Sequence, residues 1–168
     1  LSKPFILSIV GKSDSGKTTL ILKLLPELKK RGYRVAAVKH CPCGFDLDIE
    51  GKDSWEFTRA GSEGVLLTSP EEIAILRYGE CSLSIKGMAE KYFDNVDIVL
   101  MEGYNDASGV EKMEVVREGI GRLETIPEKV IAYVSNMELD TEKRIFPPDD
   151  VPAIADFIET FARSENGG

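Results

Sequence analysis

The chain has 168 residues, enough for one packed domain that buries roughly 70% of its extended surface without a disulfide or metal staple. A formal net charge of −8 excludes a sequence-independent nucleic-acid binder, because phosphate backbones select basic faces, but it leaves a single bound nucleotide open. Three cysteines make no disulfide framework and no run approaches the roughly 20 apolar residues of a membrane span, so a soluble, cytoplasmic protein is expected.

The opening residues, Leu1 to Val10, are too short for a signal peptide and carry no small-residue cleavage site. Within them, Phe5 to Val10 reads as a buried strand. From Gly16 to Arg31, Leu20, Leu24 and Leu28 recur every fourth position beside Ile21 and Leu25, the stripe of an amphipathic helix. The basic run Lys29, Lys30 and Arg31 followed by Gly32 stops it. Tyr33 to Val38 is a second strand and completes a βαβ unit. Cys41 to Gly51 reads as loop, Lys52 to Ala60 as a short helix, and Gly64 to Thr68 with Ile73 to Tyr78 as a hairpin. Ser84 to Phe93 is a helix, Val96 to Met101 a buried strand, and Lys112 to Arg117 and Val130 to Val134 two more strands. Pro147 and Pro148 break the chain before a last helix, Val151 to Ala162, and Ser164 to Gly168 forms a frayed tail. Such alternation predicts an α/β protein, a three-layer Rossmann-like P-loop NTPase. A mostly parallel sheet is expected between helices, with an antiparallel hairpin, as one domain over residues 1–168.

Between the first strand and the first helix lies Gly11, Lys12, Ser13, Asp14, Ser15, Gly16, Lys17 and Thr18, a full Walker A match to G-x-x-x-x-G-K-[ST]. Glycines let several backbone N–H groups turn toward one oxyanion, and the helix start adds unpaired donors and partial positive charge. Lys17 then reaches the β and γ phosphates, and the Thr18 hydroxyl ligates Mg²⁺. Lys12 has two readings. In dimeric partitioning ATPases a lysine at that position crosses to the partner's nucleotide, but Ser13 and Asp14 replace the glycine pair of that motif here, and a solvated loop lysine is the other reading.

A phosphate loop needs a carboxylate at the end of a neighbouring apolar strand, and Ile98 to Met101 followed by Glu102 and Gly103 supplies it. Glu102 is the candidate for holding the metal or polarising water. Asp46 and Asp48, after the second strand, are either a metal or γ-phosphate sensor or a solvated acidic loop. His40, Cys41 and Cys43 are zinc-type ligands, but Cys81 is the one distant thiol. A structural or phosphate-facing role for Lys39 and His40 is therefore preferred. The chain has no Asn-Lys-x-Asp to read guanine; Asn136, just after Val134, is the candidate base contact. Arg117 and Arg122 either neutralise phosphate charge or make surface salt bridges.

Taken together, the motifs resemble the MobB family, molybdopterin-guanine dinucleotide biosynthesis protein B. The likeness runs through Gly11 to Thr19 with Leu20, Gly32 to His40, Asp46 to Asp48, Gly51 to Ser54, and Arg59 to Gly61. It continues through Asp97 to Tyr104, Lys112 with Arg117, and Val130 to Val134. The resemblance implies a homodimeric protein that binds GTP with Mg²⁺ and has at most a slow GTPase. It further implies help to a MobA-type guanylyltransferase that joins GMP to molybdopterin, with the molybdopterin cofactor as a second candidate ligand. Thr19 would join the phosphate-binding residues, Asp48 the metal residues, and Lys39, His40, Lys52 and Arg117 the phosphate or cofactor contacts. The chain departs from the family at Cys41 and Cys43, where histidines are common, and at Asn105, where lysine is. The competing reading is a small-molecule kinase on the same loop. Such kinases carry an arginine-rich lid, and Gly103 to Glu124 holds only Arg117 and Arg122.

Overall fold

Strand β1 (Phe5–Val10) is buried along its whole length. It is apolar throughout except for Ser8, as a strand covered on both faces must be. A computed structural model describes residues 3–79 and 83–166 of the chain; Cys81 and the last two residues of the tail lie outside the described residues. The chain divides into two units, Leu1–His40 with Ser84–Gly168, and Cys41–Leu83.

The larger unit is built on six strands in the order β2-β5-β1-β6-β7-β8, every neighbouring pair parallel. These are β1, β2 (Val35–Lys39), β5 (Ile98–Glu102), β6 (Glu111–Val115), β7 (Val130–Val134) and β8 (Arg144–Phe146). Side chains alternate between faces. Phe5, Leu7 and Ile9 join Ile98 and Leu100 in the core under α1 (Lys17–Lys30) and α4 (Val151–Asn166), through Leu20, Leu24, Leu28, Ile154 and Ile158. Ile6, Val99 and Met101 pack on the opposite face with Ala89 of α3 (Ile85–Tyr92). The result is the expected helix–sheet–helix layering.

Local chemistry sets the ends of these elements. Gly32, at φ +91°, stops α1, and the Ser84 hydroxyl accepts from the Gly87 N–H at 3.1 Å to cap α3. The Arg31 guanidinium ties α1 to α4, donating to Glu27 at 2.8 Å, Glu159 at 3.0 Å and the Pro152 carbonyl at 3.0 Å. Element ends shift from the sequence expectations by one or two residues, as where β2 begins at Val35 and β5 at Ile98, and three other differences stand out. Strand β6 ends at Val115 because Arg117 turns back to bridge Gly121, the last helix runs on to Asn166, and β8 was not anticipated.

The smaller unit holds α2 (Asp53–Arg59) and an antiparallel pair, β3 (Gly64–Thr68) with β4 (Ile73–Arg77). Ser69 closes the turn by accepting from the N–H groups of Glu71 and Glu72. Leu66 and Ile75 face each other across the pair, with Ile73 two residues along on the same side. They are 61%, 55% and 72% exposed, an uncovered apolar face. No helix among the described residues is long and apolar enough to cross a membrane.

Candidate phosphate and nucleoside site

In a parallel sheet all carboxyl ends lie on one edge, and ligands gather there where strand order reverses. β1 sits between β5 and β6, so the loop after β1 emerges at that reversal. Gly11 leaves the strand at φ +140°, and a Cβ on it would lie 2.5 Å from the Val115 carbonyl oxygen and 2.9 Å from Ser15 Oγ. Only glycine fits there. Asp14 (φ +62°) and Gly16 (φ +102°) take left-handed turns within the loop. The Ser15 hydroxyl is buried without a hydrogen-bond partner.

Gly16 is the N-cap of α1, with no side-chain cap and no acidic residue in the first turn. The first-turn N–H donors are therefore unclaimed by side chains and stand ready for an anion. Lys17 lies back over the loop and donates to the carbonyls of Gly11 at 3.0 Å and Lys12 at 2.6 Å. Burial draws its ammonium below the ordinary lysine value, against the pull of Glu102 and Asp14. The Lys12 side chain makes no ion pair among the described residues, and Ser13 and Thr19 are exposed.

Across the loop, the Thr18 hydroxyl donates to Glu102 Oε2 at 2.8 Å. Lys39 Nζ stands 3.5 Å from Glu102 Oε1, because β2 and β5 pair in a register that sets Lys39 beside Glu102. The turn after Glu102 is tightly held. Gly103 (φ +95°) donates to the Ile9 carbonyl at 3.0 Å and accepts from the buried Ser8 hydroxyl. The Tyr104 ring then stacks on His40 at 4.2 Å, interplanar angle 15°. His40 itself donates its N–H to the Glu102 carbonyl at 3.0 Å.

A cleft of about 560 Å³ opens beside the loop, lined among others by Ser15, Thr19, Lys23, Arg117, Glu118 and Asn136. Its volume is that of a small-molecule site. Arg117 donates to the Asp14 carbonyl at 3.3 Å and so joins the wall of the cleft to the phosphate loop. Arg122 is engaged elsewhere: it bonds the Tyr133 hydroxyl, with its guanidinium 4.6 Å from the ring centroid, and lies 3.9 Å from Glu114. Lys112, read from sequence only by resemblance, is buried and donates to the carbonyls of Ala107, Val110 and Glu128.

Gly11 to Thr18, Thr19, Lys39, His40, Glu102, Arg117 and Asn136 thus belong to one unit and one sheet edge. Asp46, Asp48 and Lys52 belong to the smaller unit, where Asp48 Oδ1 accepts from Ser54 Oγ at 2.7 Å and from the Ile49 N–H. Its Oδ2 is buried and unpaired. Cys41 and Cys43 are free thiols of that same unit, and among the described residues no three His, Cys, Asp or Glu side chains converge. The sequence reading singled out none of Ser8, Glu114 and Glu118, which the structure places at or beside this edge through tertiary contacts.

The family model for MobB, molybdopterin guanine dinucleotide synthesis protein B, matches residues 6–136. The chain belongs to the MobB family. It is 36% identical over 164 residues to the molybdopterin-guanine dinucleotide biosynthesis adapter protein of Haemophilus influenzae, covering 96% of this chain and 92% of that one. To the protein of the same description from Escherichia coli it is 30% identical, covering 96% and 95%. A crystal structure of molybdopterin-guanine biosynthesis protein B superposes with a TM-score of 0.74 at 34% identity, over 95% of this chain and 99% of that one. MobB membership covers both units, since the matched span includes the smaller one.

Proposed function

We propose that this MobB-family protein is a GTP-binding adapter in molybdenum-cofactor biosynthesis, assisting a molybdopterin guanylyltransferase as it attaches GMP to molybdopterin. One observation carries the nucleotide half of this proposal: an uncapped helix start whose loop, lysine and facing carboxylate all meet at one sheet edge. The polyphosphate lies on the N–H groups of Gly11 to Thr18, with Lys17 released from its own loop carbonyls onto the β and γ oxygens. The adjacent cleft takes the nucleoside, with Asn136 at the base and Arg117 near the phosphates.

The Thr18 hydroxyl and Glu102 carboxylate are hard oxygen donors 2.8 Å apart, a donor set that suits Mg²⁺. Bound there, the ion would neutralise charge on the phosphate oxygens. Lys39, beside Glu102, adds a second positive charge on that side. With Arg117 the single arginine bonded to the phosphate loop among the described residues, turnover is slow and the nucleotide serves chiefly as a bound ligand. The protein works in the cytoplasm as a homodimer, and the uncovered face of Leu66, Ile73 and Ile75 is the surface a second copy would cover.

Calorimetry with GTP, ATP and Mg²⁺ on the wild type and Lys17→Ala tests the proposal. Micromolar or tighter GTP binding that the variant abolishes, with little phosphate release, is the expected result. Retained affinity in Lys17→Ala excludes the phosphate-loop assignment, and rapid release on adding a small phosphate acceptor replaces the adapter with a kinase.

A further inference from the structure

We infer that Glu118 is the residue that reads guanine, resting on the nucleotide placement proposed above. Six polar side chains line the cleft beside the phosphate loop, Ser15, Thr19, Lys23, Arg117, Glu118 and Asn136; Ser15 belongs to the phosphate loop itself, which leaves five for the base. Two are already spent. Lys23 pairs with Asp149 at 2.7 Å, and Arg117 donates to the Asp14 carbonyl on the phosphate side. Thr19 stands on the first turn of α1, next to Thr18. Glu118 and Asn136 remain, and among the described residues neither side chain makes a hydrogen bond or an ion pair.

Those two groups match guanine and mismatch adenine. Guanine presents two adjacent donors, N1–H and the N2 amine, and acceptors at O6 and N7. A carboxylate accepts both donors side by side, and an amide N–H serves O6 or N7. Adenine puts an acceptor at N1 and carries no amine at C2, so the same carboxylate faces a lone pair. A carboxylate at the phosphate end would repel the ligand; at the base end it selects among nucleotides.

Selection requires a carboxylate that stays in place, and the turn carrying Glu118 is anchored twice. Arg117 and Gly121 bridge, with the N–H groups of Ile120 and Gly121 both donating to the Arg117 carbonyl at 3.1 and 2.9 Å. Directly after the turn, the Leu123 N–H donates to Glu114 Oε1 at 2.7 Å, and Arg122 lies against Tyr133. Glu114, its side chain 1% exposed, sits on β6 in register with Val10 and Tyr133, beneath the start of the phosphate loop. The buried acid therefore pins the backbone of the reading turn to the strands that carry the phosphate site, which lowers the ordering cost of recognition.

The experiment is calorimetry of wild type and Glu118→Gln with GTP, ITP, XTP and ATP in Mg²⁺. Glutamine loses one of the two acceptors guanine needs but matches the N1–H and C2 carbonyl of xanthine. GTP affinity should fall on the order of 10–100-fold in E118Q, XTP affinity should rise, and ATP should change less than about threefold. ITP, lacking the amine, should bind the wild type more weakly than GTP and lose less than GTP in the variant. A GTP to XTP ratio unchanged by E118Q, with triphosphate binding intact, overturns the assignment of Glu118 and leaves the phosphate site standing. A wild type that binds no triphosphate overturns both. Glu118 is exposed, so the variant is expected to melt with the wild type.

Discussion

Gly11→Ala is the sharpest perturbation of the phosphate loop, because its effect on the empty protein follows from distances already fixed by the fold. The added Cβ would meet the Val115 carbonyl oxygen at 2.5 Å and Ser15 Oγ at 2.9 Å. Real Cβ contacts stay outside 3.0 Å, so the loop or the end of β6 must shift by about half an ångström. The φ of +140° adds backbone strain of about 1–3 kcal/mol, and crowding a packed site adds about 1–3 kcal/mol more. At about 2–4 °C per kcal/mol for a chain of this size, the variant should melt about 4–24 °C below wild type. Gly16→Ala is the control. Its Cβ meets only Val115 Cγ1 at 4.0 Å, so strain at φ +102° is its sole cost without nucleotide. Gly16→Ala should therefore lose less thermal stability than Gly11→Ala, yet both should lose GTP binding, the first by obstructing phosphate and the second by displacing the loop. Scanning calorimetry and nucleotide titration read the two effects apart. A Gly11→Ala protein that melts with wild type refutes the claim that the loop closes against Val115.

Glu102→Gln should hold GTP within severalfold of wild type and lose Mg²⁺-dependent phosphate release; unchanged release takes Glu102 out of the chemistry. Arg34 hydrogen-bonds the Asp97 carboxyl at 2.8 Å and holds it below the usual carboxylate value, against burial. A depressed folded pKa contributes stability fully above the unfolded value near 3.8 and loses it as pH falls through the folded value. Asp97→Asn should thus cost a small drop in Tm at pH 7 that vanishes in acid; a deficit constant from pH 7 to pH 2 means that packing, not charge, is lost. Ile75→Asp, on the uncovered hairpin face, should convert a sedimenting dimer to monomer with unchanged circular dichroism, and a wild type that is monomeric at all concentrations removes the proposed interface.

Elements with strong periodicity were legible: α1 from its four-residue leucine spacing, and β1 and β5 from nearly continuous apolar runs buried on both faces. The Walker A loop was legible because its chemistry demands particular residue types at fixed spacing, and Glu102 because a strand must deliver it. What escaped depended on tertiary neighbours. β8 is three residues with an exposed arginine at its head, too short to show a period, and it forms only because β7 offers an open edge. Val115 was read within a longer strand, whereas Arg117 leaves the ladder to reach Asp14. Glu114 has no local signal of burial; its partners, the Leu123 N–H and Arg122, come from the chain that folds back over it.

The distribution of strain supports placing the ligand where the motifs suggested. Among the described residues, three non-glycine positions take positive φ: Asp14, Tyr104 and Lys129. Two of these lie at the carboxyl edge of the sheet, in the phosphate loop and just after Glu102. Left-handed non-glycine residues persist only when surrounding structure over-determines them. Around Tyr104 that structure is visible, in the Ser8 hydroxyl and Ile9 carbonyl on Gly103 and in the His40 ring against the tyrosine. The held turn keeps the end of β5 against β1 and β2, where the Glu102 carboxylate accepts from the Thr18 hydroxyl and so is aimed at it. If so, Tyr104→Gly should soften this aim without unfolding the sheet. GTP with Mg²⁺ should then bind at most severalfold more weakly, no worse than in Glu102→Gln, while metal-free nucleotide binding changes little. Equal losses with and without Mg²⁺ would mean that the turn supports the whole loop and does not act on the carboxylate in particular.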